Sequence, residues 1–310
     1  MYHFFYMGTV DTHNSTLTPF VPPWTSVSPF RSCFAVCFLV QCPIDVVERQ
    51  ECRTRMRHIY SELDKKTAQL KELLRKQHKS DDFQRMLDIS WVHHDSALEG
   101  VVYSQAEIAA ALENRILADV SHLSTYQEIR NHMQAIQDGR EMAKAKKIKI
   151  TIETLKVLHK RLVYLNDDAV EGRYRKDIPI HRTYFHDIAL PNKISYQLAK
   201  SLELLVSSEV KDFHPIKLAA WAHFHLMQVF PFSEHSGKIA RIIMNLYLIH
   251  EGYYPCIIHS SDRQRYYETL KGPPQALKML ILESMDNALN NAIKFITQPA
   301  DDRRSTARSN

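Results

Sequence analysis

Apolar residues recur at helical spacing along most of the chain. From Met56 onward, Ile59, Leu63, Leu70 and Leu74 fall on one face of a helix, while lysine and glutamate occupy the other face. The same period predicts further helices over residues 83–92, 108–112, 129–142, 152–165, 196–206, 216–229, 239–249, 261–270 and 274–296. Residues 176–191 break the period with prolines, and a small hairpin or extended flap is expected there.

Turn and capping residues mark several helix ends. Pro215 stands where the first turn of a helix tolerates proline, and Gly252 follows an apolar helix as a terminator. Three pairs have the spacing of a capping box and predict helix starts: Ser104 with Glu107, Ser124 with Gln127, and Ser261 with Gln264.

The glycine content excludes two common nucleotide-binding classes. The chain has seven glycines in 310 residues, and no two of them are closer than fifteen positions. A dinucleotide fingerprint and a P-loop each need glycines within a few residues of one another, so both are excluded. The shortage of turn residues also disfavours a sandwich or a barrel, and the sequence therefore predicts an all-α fold.

Charge and cysteine content indicate the setting. The net charge of +5 is spread over mixed acidic and basic helix faces, which favours solvated surfaces over a nucleic-acid interface. Five cysteines with no secretory signal predict reduced thiols and a cytoplasmic location, and the four within residues 33–52 lack the paired spacing of zinc ligands. The longest apolar run, residues 33–40, is too short to span a bilayer, so no membrane partner is expected.

The segment most informative about function is residues 230–241, FPFSEHSGKIAR, between two apolar helices. The start of the second helix favours an anion, and Lys238 and Arg241 add two positive charges about one turn apart. Glu234 lies on the same loop, where a carboxylate facing phosphates needs a cation such as Mg²⁺ between them. A phosphate-sized site is one interpretation; a turn in which Glu234 merely caps the second helix is the other.

Residues 230–241 resemble the signature of Fic (Fido) proteins, His-Pro-Phe-x-Asp/Glu-Gly-Asn-Gly-Arg-x-x-Arg. Other segments that resemble the family are 172–175 before the flap, 214–223 before the loop, and 243–246, 252–255 and 262–267 after it. The resemblance extends from residue 57 to residue 298. It implies a Fic-type helical domain with a small β-hairpin flap at 176–191, where a target protein docks by strand addition.

This resemblance divides the chain into four stretches. Residues 1–55 are expected to be a poorly ordered extension of unknown role, with Met56 as an alternative start. Residues 56–117 are expected to form a helical segment that carries an inhibitory motif, and residues 118–298 a Fic-like core. Residues 299–310 are expected to form a disordered tail.

Residues 95–100, DSALEG, resemble the inhibitory motif of the family, (Ser/Thr)-x-x-x-Glu-(Gly/Asn), with Asp95 in place of Ser or Thr. The resemblance implies that Glu99 pairs with Arg241 and keeps this arginine from the γ-phosphate of ATP. The alternative is a plain helix end at Gly100.

Departures from the signature bear on activity. The catalytic histidine of the family is Phe230 here, and loss of a general base costs about 10²- to 10⁴-fold in rate. Among the other histidines near this loop, His235 is the best-placed candidate for a substitute base. Ser236 keeps a donor, Gly237 keeps backbone freedom, and Lys238 keeps the charge without the bidentate fork of arginine.

Three functions remain open. The favoured one is a degenerate Fic protein that binds ATP or another nucleotide with Mg²⁺ but has lost or strongly reduced protein AMP transfer. The second is an active adenylyltransferase that modifies a Ser, Thr or Tyr hydroxyl and is inhibited by Glu99; the third is a non-catalytic interaction module. The resemblance assigns the metal to Glu234 and the nucleotide to Ser236, Gly237, Lys238 and Arg241. It leaves the target protein and a homo-oligomeric state open.

Overall fold

The computed structural model describes residues 46–113, 123–163, 172–179 and 186–297, with side chains from residue 53 onward. The chain divides into two units, Met1–Thr54 and Arg55–Asn310. The expected extension, up to residue 45, the expected tail and residues 180–185 of the flap lie outside the described residues.

The described residues are helical, as the apolar period predicts. They form α1 Val46–Lys76, α2 Ser80–Leu98, α3 Gln105–Leu112, α4 Leu123–Ala143, α5 Ile152–Val163, α6 Ile194–Leu204, α7 Pro215–Val229, α8 Ser236–His250, α9 Arg263–Lys271 and α10 Pro274–Thr297. Short 3₁₀ turns occupy Pro191–Lys193, Ser208–Val210 and Ser260–Asp262. Residues 176–179 and 186–191, the described parts of the flap, contain no strand.

The local signals at helix ends are partly confirmed. The capping box of α3 is present, with Ser104 Oγ accepting from the Glu107 N–H at 3.1 Å. Pro215 opens α7, and Gly252 follows α8 at φ 81°, a left-handed conformation that suits glycine. The predicted starts at Ser124 and Ser261 are wrong, because Ser124 already lies inside α4 and a 3₁₀ turn delays the start of α9 to Arg263.

The centre of the second unit is the pair α7 and α8. Every residue of α8 from Ser236 to Leu248 is buried, because α4 and α5 cover one side of it and α7 covers another. Gly139 of α4 permits a close approach, since a Cβ at this position would meet Ile242 Cγ2 of α8 at 2.8 Å. The six-residue loop between α7 and α8 is therefore held between two fixed helix ends.

None of the described helices is long and apolar enough to cross a bilayer.

Candidate functional site

The loop between α7 and α8 begins and ends at a residue in the left-handed region. Phe230 has φ 46° and donates its N–H to Leu226 O at 2.9 Å, and His235 has φ 60°. A residue other than glycine pays roughly 1–2 kcal/mol in this region. The Fic signature has glycine where this chain has His235, so the loop keeps a conformation that its own sequence does not favour.

The hydroxyl group of Ser236 fixes the curve of the loop. It accepts from the Phe232 N–H at 2.8 Å and donates to Phe232 O at 2.9 Å. The hydroxyl hydrogen is thus used inside the loop rather than directed outward. Donors for an anion at this end of α8 are the backbone N–H groups of the first turn, which have no partner within the helix.

Phe230 and Arg175 connect the loop to the segment before the flap. The Phe230 ring is 1% exposed, and its carbonyl accepts from Arg175 Nε at 2.7 Å. The Arg175 N–H donates to Pro231 O at 3.0 Å, and its guanidinium also donates to Asp177 O and Ala189 O. Sequence reasoning placed Arg175 only at the start of the flap and missed this role, which no local pattern marks.

Arg241, in the second turn of α8, is held by two carboxylates, one from the last turn of α2 and one from its C-cap residue. Asp95 accepts from Arg241 Nε, and Glu99 accepts from Arg241 Nη2 at 2.7 Å. Burial alone would lower the pKa of Arg241, but the Asp95 carboxylate raises that pKa well above its ordinary value. The arginine is therefore charged and fully paired.

The Glu99 carboxylate also lies against the start of α8. A Cβ added to Gly237 would overlap Glu99 Oε1, and it would approach Arg241 Nη1 to 3.0 Å. The absence of a side chain at residue 237 is what allows this approach. The carboxylate thus lies where the N-terminus of a helix favours negative charge.

Hydrogen bonds extend from Arg241 in both directions. On one side, Asp95 Oδ2 is 2.8 Å from His132 Nε2. On the other side, Arg241 Nη1 donates to the Tyr266 hydroxyl at 3.3 Å, and this hydroxyl is 2.9 Å from His223 Nε2. Burial lowers the pKa of His132, and burial lowers the pKa of His223 to about 3. Both imidazoles are neutral near pH 7, so the network joins five helices through a single cation.

The remaining predicted site residues differ in exposure. Lys238 is 6% exposed; burial lowers the pKa of its ammonium group, and the nearby carboxylates of Asp95 and Glu99 oppose that shift. The Glu234 side chain is 77% exposed at the rim of the loop. Burial, followed by the charge of Lys238, lowers the pKa of His235 to about 3, which leaves this imidazole a weak base.

The C-terminal end of α2 is anchored to α9 and to the turn before it. Leu98 O accepts from Arg263 Nε at 3.0 Å and from the Tyr267 hydroxyl at 3.1 Å. His94 Nδ1 accepts from the Ser260 N–H at 3.3 Å, and its ring centroid is 3.9 Å from that of His259. These contacts fix the position from which Asp95 and Glu99 reach Arg241.

The histidine contact gives α2 a pH-dependent stability. Burial, then the charges of His259 and His93, lowers the pKa of His94 from 6.5 to about 4. The unfolded chain therefore binds more protons between pH 6.5 and 4, and the free energy of unfolding falls as the pH falls through that window. His94→Gln is expected to flatten this fall by about 1 kcal/mol, allowing for partial exposure.

The test is urea unfolding at a series of pH values for the wild type and His94→Gln. His58→Gln is the control, because His58 is exposed. An unchanged slope in His94→Gln would contradict the assignment.

The site thus consists of a loop between two buried helices, a buried lysine, and an arginine that is paired with two carboxylates. Residues 149–248 match the model of the Fic/DOC family. The protein adenylyltransferase Fic of Drosophila erecta is 28% identical over 182 residues, which cover 58% of this chain and 36% of that protein. The protein of the same name from Aedes aegypti is 29% identical over 185 residues, which cover 59% of this chain and 36% of that protein. The matched part of the chain spans about a third of the length of these curated relatives.

Solved structures agree in fold. A Fic domain containing signaling protein from Bacteroides thetaiotaomicron superposes with a TM-score of 0.61 at 19% identity, over 77% of this chain and 94% of that one. Fic-1 from C. elegans superposes with a TM-score of 0.65 at 20% identity, over 80% of this chain and 75% of that one. This chain is therefore similar to Fic/DOC proteins over residues 149–248 and shares the fold of the two solved structures.

Proposed function

We propose that this chain is a nucleotide-binding Fic protein in which transfer of AMP to proteins is lost or strongly reduced. The observation that supports the proposal is Phe230, which stands where the family has its catalytic histidine and is fully buried. An aromatic hydrocarbon cannot take the proton of an attacking hydroxyl. His235 is a poor substitute, because a base with a pKa of about 3 has little driving force for proton transfer near pH 7.

The site keeps the positively charged groups that would bind a nucleotide. The first turn of α8 offers backbone N–H groups to a phosphate, and Lys238 and Arg241 lie within its first two turns. The Fic signature has asparagine at the position of Ser236. In this chain the serine hydroxyl forms hydrogen bonds within the loop instead. We therefore expect weak rather than tight nucleotide binding.

A divalent cation fits the donor set at the rim of the loop. Within the described residues no group of three or more His, Cys, Asp or Glu side chains is placed to hold a metal by itself. Mg²⁺ bound with a nucleotide needs only one or two carboxylates, since phosphates and water complete its shell. The exposed carboxylate of Glu234 is placed for that role, in which Mg²⁺ would neutralise phosphate charge.

Glu99 acts as an inhibitory residue in this proposal. Its carboxylate lies at the N-terminal end of α8, which favours anions, and it accepts a hydrogen bond from Nη2 of Arg241. A nucleotide phosphate and Glu99 compete for the same charges. Removal of the glutamate is therefore expected to strengthen binding. A target protein would dock along the flap, residues 176–191.

One observation favours an active adenylyltransferase as the second candidate. The curated relatives from Drosophila erecta and Aedes aegypti are named protein adenylyltransferase Fic. In that case AMP transfer would proceed without the histidine, and labelled AMP would appear on protein in the wild type.

Thermal shift with Mg-ATP tests the binding proposal. The wild type is expected to show a small rise in Tm at millimolar Mg-ATP, and Glu99→Gly a larger one. Glu251→Gly is a matched control, because Glu251 also caps a helix directly before a glycine but lies at the other end of α8. It is expected to behave as the wild type.

Other outcomes identify the competing functions. No rise in Tm in any variant would indicate a non-catalytic interaction module whose pocket does not bind nucleotide. Transfer of label from α-labelled ATP by the wild type would establish the active enzyme instead.

A further inference from the structure

The helix α2 presents two carboxylates to one guanidinium group. Asp95 and Glu99 are four residues apart, on the same face of α2. Asp95 bonds Nε of Arg241, while Glu99, at the end of the helix, bonds Nη2. Two negative charges therefore share a single arginine.

The two carboxylates differ in how readily they can leave. The Asp95 side chain is 3% exposed and is also bonded to His132 of α4. The Glu99 side chain is 16% exposed and precedes Gly100, which has φ 94° and an open space around it. Asp95 is therefore the more deeply buried of the two carboxylates, and its bond to His132 ties it to a second helix.

The electrostatics agree with this difference. Burial opposes ionisation of Asp95, but the charge of Arg241 and the bond from His132 lower the pKa of its carboxyl to about 2. The Asp95 carboxylate is therefore charged throughout the physiological range. It stays beside Arg241 when Glu99 is absent.

We propose that Asp95 is a second inhibitory carboxylate, which neutralises Arg241 and repels a polyphosphate even after Glu99 has been displaced. The proposal rests on the anion site described above and concerns its regulation. The inhibitory motif of the family has neutral Ser or Thr at this position, so there the departure of one glutamate leaves the arginine uncompensated. In this chain, loss of Glu99 alone opens the site only in part, and full opening requires the loss of both charges.

The test compares anion affinity in Glu99→Gly and in Asp95→Asn/Glu99→Gly. Asparagine keeps the shape of the side chain and an acceptor for Arg241 Nε but removes the charge. Isothermal titration uses two probes, Mg-ATP and inorganic tripolyphosphate. The double variant is expected to bind tripolyphosphate at least about tenfold more tightly than Glu99→Gly, because a like charge near the anion has been removed from a buried site.

The controls isolate the position of the charge. Asp138→Asn/Glu99→Gly removes a carboxylate that pairs with Arg161 and not with Arg241, and it is expected to match Glu99→Gly. Asp95→Asn alone is expected to gain less affinity than the double variant, since Glu99 still occupies the end of α8. Near-UV circular dichroism verifies that each variant is folded.

Each outcome decides the proposal. Equal affinities of the double variant and Glu99→Gly would overturn it, and so would a thirtyfold or larger gain in tripolyphosphate affinity from Glu99→Gly alone. That second criterion applies even if Asp95→Asn prevents folding. Tight tripolyphosphate binding without Mg-ATP binding would support the inference and reject the nucleotide function. No binding of either probe by the folded double variant would overturn both.

Discussion

Restoring histidine at residue 230 in the Glu99→Gly background is expected to raise AMP transfer by about 10²- to 10⁴-fold. In this reaction the oxygen of a protein hydroxyl forms a bond to the α-phosphorus of ATP, and the bond from that phosphorus to the pyrophosphate breaks. The hydroxyl proton must go to a base, which Phe230→His supplies at the position where the family has it. Histidine is also the base whose ordinary pKa is nearest to neutral.

The measurement is label transfer from α-labelled ATP to the chain itself or to added proteins. Phe230→Leu/Glu99→Gly is the matched control, because leucine changes the buried volume without adding a base. Transfer by the wild type at the rate of Phe230→His/Glu99→Gly would contradict the proposal that the missing base limits this protein. Transfer that persists after Glu234→Ala would argue against a metal at that carboxylate.

Replacing Arg175 by leucine is expected to destabilise the second unit by about 3–5 kcal/mol. Its guanidinium donates to the carbonyl groups of Phe230, Asp177 and Ala189. Hydrogen bonds from a charged donor contribute about 1.5–3 kcal/mol each, and a buried acceptor left without its partner costs about 1–3 kcal/mol. These contributions overlap, so their sum exceeds the expected loss.

Chemical denaturation measures this effect, with Arg173→Leu as the control. Arg173 is exposed and two residues away, so its replacement is expected to change the free energy of unfolding by less than about 0.5 kcal/mol. A similar small change in Arg175→Leu would show that the arginine does not hold the loop. The expected loss also reaches the site, because Arg175 supports the backbone at both Phe230 and Pro231.

The parts of the fold that the sequence predicts well depend on local signals. The apolar period indicates most helices, and Ser104, Pro215 and Gly252 mark ends through contacts within a few residues. Helix boundaries are less accurate: α1 begins at Val46 and α2 extends to Leu98, beyond the ranges that the period covers. Residues 46–55 are mostly polar helix formers, so a helix continues through them without an apolar face for the period to mark.

The candidate site likewise has parts that the sequence predicts and parts that it does not. Motif spacing brings Phe230 and Glu234 to one loop and Lys238 and Arg241 to the first two turns of the helix after it, and the resemblance points to Glu99. The inward turn of the Ser236 hydroxyl depends on loop geometry that spacing does not encode. The bonds of Asp95 to Arg241 and to His132 join residues 146 and 37 positions apart, and no sequence pattern marks such pairs.

The anchoring of Leu98 has a consequence for the order in which the protein is made. Its carbonyl is held by Arg263 and Tyr267, which lie 165 and 169 residues further along the chain. During synthesis, α2, the central helices and the loop between them are made before those two residues exist. Contacts of such long range form late in folding. The anchoring of α2 is therefore completed only after Tyr267 has been made, and a proteolytic fragment that stops before Ser260 would retain the loop while its α2 had lost its anchor.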